Sequence, residues 1–120
     1  MPEKVTSLPE QVKGVLTEDA MLGGKIRLQQ PKEGFRAAID TVFLAAAVPA
    51  KAGQRVLEAG TGSGAAALCL AHRVEGVKIT GIDVNPRMVS LADANIQLNR
   101  KAETIRVAVG DVAGRLPEDF

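Results

Sequence analysis

Cysteine is almost absent from this sequence. Cys69 stands alone, so no intrachain disulfide can form, and a reducing, cytoplasmic compartment is the expectation. Histidine is equally scarce: His72 and Cys69 are too few for a zinc cluster, no metal site is expected, and no Ser-His-Asp arrangement is evident. Tryptophan and tyrosine are missing altogether. Neither sign of charge predominates, with 15 Lys and Arg against 14 Asp and Glu, which gives no sign of a general nucleic-acid or membrane surface. Long hydrophobic runs are lacking too. The longest, Val42 to Ala50, is far too short to cross a bilayer, and the opening MPEKVTSLPEQ is too polar for a signal peptide. There is no internal repeat and no low-complexity tract. The 120 residues suffice for at most one domain with one core.

What is present falls into two parts, a lead-in over 1–50 and a region of alternating strands and helices over 51–120. In the lead-in, DAMLGGKIRLQQ reads as a hairpin turning at Gly23-Gly24, with Pro31 ending its second strand. FRAAIDTVFLAAAVP then reads as a helix that stops at Pro49. In the second part QRVLEAG, VKITGID and ETIRVAVGD read as strands. Between them, SGAAALCLAHRV and NPRMVSLADANIQLN read as helices, the latter with Asn85 as N-cap and Pro86 at its first position. A βαβαβ order implies an α/β fold with a parallel sheet and right-handed crossovers. Cys69 and His72 read as structural, and Met88, Val89, Ala92 and Ile96 as core packing at helical spacing.

The chemistry concentrates in VLEAGTGSG. Gly60, Gly62 and Gly64 sit where a strand turns into a helix, so the backbone can take unusual φ and pass close to a ligand. The following helix start offers free N–H groups to a carboxylate or phosphate. The spacing also fits a degenerate dinucleotide fingerprint with Ala65 in its third slot. Asp83, at the end of the second strand, suits two ribose hydroxyls. Glu58 separates the candidates: a carboxylate beside the glycine turn repels a pyrophosphate but suits an ammonium group. A ribose, a cationic amine and a carboxylate together describe S-adenosylmethionine better than NAD.

VLEAGTGSG resembles the first motif of class I S-adenosylmethionine-dependent methyltransferases, GIDVNP their acidic strand-end motif, and VGDV the loop after their third strand. The upstream LGGKIRLQQPKEGFRAAIDTVFLAA is similar to the lead-in of the small-domain methyltransferases, particularly the bacterial tRNA1(Val) adenine-N6 methyltransferases. The resemblance runs from about Met21 to Phe120. It implies a truncated Rossmann-like methyltransferase fold, with a hairpin and helix before a partial parallel sheet. It assigns Glu58 to the methionine amino group and Gly60, Thr61, Gly62 and Gly64 to the loop under methionine and ribose. It assigns Asp83 to the ribose hydroxyls, Val84 and Val112 to the adenine ring, and Asp111 to the adenine amine. Arg36 and Asp40 would close over the methionine end. Local alternatives stay open: Glu58 paired with Arg55 or Lys51, Asp83 capping the helix at Asn85, Asp111 as a turn residue, and Arg36–Asp40 as an i,i+4 pair.

The same resemblance makes an absence informative. The amine-methylating members carry an N-P-P-Y-like tetrad at the end of the fourth strand, whose aromatic stacks on a flipped base. This sequence has no N-P-P and ends at LPEDF, where that strand should begin. The expectation is therefore a cofactor-binding half that is inactive alone, with its catalytic residues beyond Phe120. The parent would methylate an adenine N6 of tRNA; a protein glutamine or a ribosomal RNA guanine is the alternative acceptor. An NAD-dependent oxidoreductase half or a non-catalytic cofactor-binding module represents the other classes. The segment before Ala37 sets six cations, Lys4, Lys13, Lys25, Arg27, Lys32 and Arg36, against five acids, so only weak, salt-sensitive tRNA binding is expected of it. The first strand, Arg55–Ala59, should lie at a sheet edge and promote self-association, which light scattering reads directly.

Overall fold

A computed structural model describes residues 15–33, 36–37 and 39–114. Strands β1 (Leu16–Met21) and β2 (Ile26–Pro31) form an antiparallel hairpin in which Met21 faces Ile26. The connection is four residues long, and Leu22, Gly23 and Gly24 all take positive φ, so the Gly-Gly pair shares its turn with a leucine. In β2, Ile26 and Leu28 are buried while Arg27 is exposed, the alternation expected of a half-covered strand. Gln30 continues that pattern, and Gln29 breaks it, since it is buried on the face of Arg27.

Helix α1 (Ile39–Ala47) begins later than the alanine-rich composition suggests. Phe35, where the sequence reading starts this helix, lies outside the described residues. Arg36 and Ala37 are not helical because the hairpin holds them: Arg36 donates to the Pro31 carbonyl, the Thr17 hydroxyl and the Asp19 carboxylate, and the Ala37 N–H donates to Gln30 Oε1. Arg36 is consequently not on the helix of Asp40, and the i,i+4 pair does not form. The far end of α1 is closed by Arg73, which donates to the carbonyls of Ala45 and Val48, a cation serving orphan carbonyls at a helix C-terminus.

The second part follows the predicted alternation: β3 (Arg55–Ala59), α2 (Ala65–Arg73), β4 (Lys78–Asp83), α3 (Pro86–Leu98) and β5 (Ile105–Val109). Asn85 caps α3 as expected, its side chain accepting from the Arg87 N–H with Pro86 behind it. The three strands are parallel in the order β3-β4-β5. Two right-handed crossovers in the same direction place α2 and α3 on one face. The core agrees with this: Ile79 and Ile105, with Val56 and Val107 against them, pack with Leu68 and Ile96. Cys69 lies in the same core, where burial pushes its thiol up from the usual value. Ile26 and Leu28 of the hairpin join it, so the lead-in and the sheet share one core. Among the described residues β3 ends the strand order, with Arg55, Leu57 and Ala59 exposed.

Candidate functional site

Strand β3 delivers Glu58 and then Gly60 to the carboxyl end of the sheet, and β4 delivers Asp83 beside them. A cleft of about 590 Å³ opens there, lined by Glu58, the loop Gly60–Ser63, the start of α2 at Ala65 and Ala66, Asp83, Met88, and Pro31, Glu33, Ala37, Thr41 and Leu44 from the lead-in. This is the crevice at the strand ends where open α/β sheets take ligands. The loop owes its shape to its glycines, which have φ of +69°, +54° and +88° at Gly60, Gly62 and Gly64, values that L side chains adopt only under strain. A Cβ at Gly64 would also come into van der Waals contact with Ala92 of α3.

Two carboxylates hold the loop from below. Glu58 accepts from the Thr61 hydroxyl at 2.6 Å. Asp83 accepts the Gly62 N–H at 3.0 Å on one oxygen and the Asn85 N–H at 2.9 Å on the other. The helix-cap alternative for Asp83 and its reach into the loop thus coexist. Glu58 pairs with neither Arg55 nor Lys51; among the described residues it makes no ion pair. Burial is the largest influence on its carboxyl and pushes it above the usual carboxylate range. The Thr61 hydroxyl opposes this, and the negative charge of Asp83 pushes it further up.

The sign of that shift makes a prediction. A carboxyl that ionises later in the native state than in the unfolded chain leaves the native state holding the extra proton between the two values. Stability therefore falls as pH rises through that window and stays lower above it. Glu58→Gln keeps an acceptor for Thr61 and removes the buried charge. The variant's advantage in urea midpoint over the parent should grow from acid to neutral pH. An advantage that shrinks as pH rises would show that the buried charge is not the cause.

The remaining predicted residues are placed differently. Val84 and Val112 are exposed, at the rims that follow β4 and β5. Asp111 is exposed and accepts the Ala113 N–H, the turn role left open for it; the backbone of Gly110 bonds the Asp83 carbonyl, which keeps this loop beside β4. Arg36 and Asp40 do not line the cleft. Arg36 is taken up by the hairpin, where its guanidinium adds to hydrogen bonds from Gln30 and Thr17 that hold the Asp19 carboxyl below its usual value. Asp40 is exposed in the first turn of α1.

Sequence reasoning missed two contributors. Gly81 lies across from Glu58 in the sheet register, and a Cβ there would sit 2.6 Å from Thr61 Oγ1. A glycine inside a strand is a signal for such a close approach. Met88, read as core, instead lines the cleft, with its Cε 3.9 Å from where a Gly62 Cβ would point.

A family model described as "Methyltransferase domain" matches residues 56–119. The tRNA1(Val) (adenine(37)-N6)-methyltransferase of Flavobacteriaceae bacterium (strain 3519-10) is 44% identical over 71 residues, covering 59% of this chain and 31% of that one. The enzyme of the same description from Yersinia pseudotuberculosis serotype O:3 (strain YPIII) is 32% identical over 114 residues, covering 90% of this chain and 44% of its own. The chain therefore spans less than half the length of these relatives. Among solved structures, a SAM-dependent methyltransferase from Thiobacillus denitrificans in complex with S-adenosyl-L-homocysteine superimposes with a TM-score of 0.57. It is 29% identical and covers 68% of this chain and 33% of that one.

Proposed function

Because the chain belongs to the methyltransferase domain family, we propose that its cleft binds S-adenosylmethionine and that it forms the cofactor-binding part of a cytoplasmic enzyme methylating an adenine N6 of tRNA. Glu58 is the observation that carries the cofactor reading. It is a carboxylate with no cationic partner among the described residues, placed beside a glycine loop and near a second carboxylate, Asp83. Such a pair repels a pyrophosphate and favours a ligand that brings an ammonium group and ribose hydroxyls. In this reading Glu58 holds the amino group, Gly60, Thr61, Gly62 and Gly64 support the methionine and ribose, and Asp83 takes the ribose hydroxyls. Val84, Asp111 and Val112 would meet the adenine from the rim. When bound, the cofactor supplies an electrophilic methyl group on a sulfonium; the chain's own residues orient it, and such catalysis is mostly positioning.

The tRNA reading is supported by the reach of the similarity. The match to the Yersinia enzyme covers 90% of the chain, more than the sheet region alone accounts for, and so takes in lead-in sequence. Calorimetry with S-adenosylhomocysteine and NAD in parallel tests the cofactor: the first should bind and the second should not, and the reverse result overturns the assignment. In an enzyme containing this chain, labelled methyl should appear on N6 of a tRNA adenine. Label on a protein in place of tRNA would remove the acceptor while leaving the cofactor reading intact.

A further inference from the structure

Helix α3 and its C-cap carry two asparagines that the cofactor reading does not use, Asn95 within the helix and Asn99 just past its end. Asn95 is wholly buried among Leu91, Ala92 and Ile96 of its own helix. Its carboxamide pairs with both backbone groups of Gln29 in β2: Oδ1 accepts the Gln29 N–H at 2.8 Å and Nδ2 donates to the Gln29 carbonyl at 2.8 Å. Asn99, one turn on, treats Arg27 in the same way, at 2.9 and 2.7 Å. Four residues of helix rise about 6 Å and two residues of strand about 6.6–6.8 Å, so carboxamides at i and i+4 meet alternate strand residues as a partner strand would. The pair closes the edge of β2 that β1 leaves open.

Asn95 is more deeply buried than Asn99, and it differs in its third bond as well. Its Nδ2 also donates to the carbonyl of Ser63, in the glycine loop, at 2.9 Å, while the remaining bond of Asn99 returns to its own helix at Asn95. A carboxamide has two donor hydrogens, and Asn95 commits one to the hairpin and one to the loop. We propose that Asn95 is a positioning residue for the glycine loop, locking it to the hairpin and α3 so that hairpin and loop open together. Ligand binding at the loop then steadies the hairpin, and displacement of the hairpin weakens the ligand by the same factor. The affinity part of this proposal rests on the cofactor reading above.

Asn95→Leu and Asn99→Leu separate the two roles, because both remove a hairpin contact and only the first releases the loop. Hydrogen exchange at the Thr61 and Gly64 amides should be roughly tenfold faster in N95L than in N99L, and S-adenosylhomocysteine should bind roughly tenfold more weakly to N95L, with little change in N99L. Equal effects of the two variants on loop exchange would overturn the proposal. Should N95L fail to fold, the parent chain decides: the Asn95 Nδ2 protons should be protected to the same degree as the Thr61 and Gly64 amides. Loop amides that exchange while Asn95 Nδ2 stays protected would overturn it. If S-adenosylhomocysteine does not bind the parent chain, the cofactor reading falls, and the exchange comparison still judges Asn95.

Discussion

Gly81→Val should destabilise the chain by about 2.5–6 kcal/mol and abolish ligand binding in the cleft. A Cβ at Gly81 would lie 2.6 Å from Thr61 Oγ1 and 2.8 Å from Thr61 Cβ, inside any real contact distance. Thr61 cannot swing clear at low cost. It is buried, its N–H is bound to the Ile82 carbonyl at 2.9 Å, and its hydroxyl is bound to Glu58. Overpacking of this kind costs about 1–3 kcal/mol. Losing the charge-assisted bond from the hydroxyl to Glu58 adds about 1.5–3 kcal/mol. For a chain of this size the sum corresponds to a fall in Tm of roughly 10–20 °C. The mechanism is checked by a double-mutant cycle with Gly81→Ala and Thr61→Gly, since removing the Thr61 side chain makes room for the new methyl. Calorimetric unfolding should show that G81A costs much less in the Thr61→Gly background than in the parent. Simple additivity of the two single losses would mean that the collision with Thr61 is not the source.

Asp83→Ala should weaken S-adenosylhomocysteine binding roughly 10- to 150-fold, the equivalent of about 1.5–3 kcal/mol for charge-assisted hydrogen bonds. Two consequences combine. The carboxylate proposed to take the ribose hydroxyls disappears, and the Gly62 N–H, which it holds at 3.0 Å, is released together with the Asn85 N–H at 2.9 Å. Gly62 stands at φ +54°, a conformation that glycine enters and leaves freely, so the loop's place depends on the bonds that hold it. Asp83→Asn is the informative companion: its single carbonyl oxygen can satisfy Gly62 or Asn85 but not both, and its NH2 faces the other N–H. D83N should therefore lose nearly as much affinity as D83A. Titration calorimetry decides, and an affinity unchanged in both variants would remove Asp83 from the ligand site and leave it a staple between β4 and the loop.

The sequence by itself determined everything that short-range pattern encodes. The period-2 and period-3.6 runs, Asn85-Pro86 at the start of α3, the alternating glycines after β3 and the acids at the strand ends are all written within about ten residues of one another; the element order, the cap and the glycine turn stand where they are read, while α1 starts later, at Ile39. The tertiary structure decided what joins residues far apart in the chain. Asn95 and Gln29 are 66 residues apart and Asn99 and Arg27 are 72, so nothing local distinguishes these asparagines from ordinary helix residues until the crossovers bring α3 against the hairpin. The family resemblance places Arg36 and Asp40 over the methionine end, and their helical spacing offers an i,i+4 pair as the alternative. The hairpin captured Arg36 instead, since Asp19, Thr17 and the Pro31 carbonyl together offer more than one exposed carboxylate does. Gly81 gained its importance from strand register alone: parallel pairing sets it against Glu58, and the loop then folds Thr61 into the space where its side chain would be. Local propensity selects elements, but their side-chain partners are chosen by packing, which acts across the fold and leaves no periodic trace in the sequence.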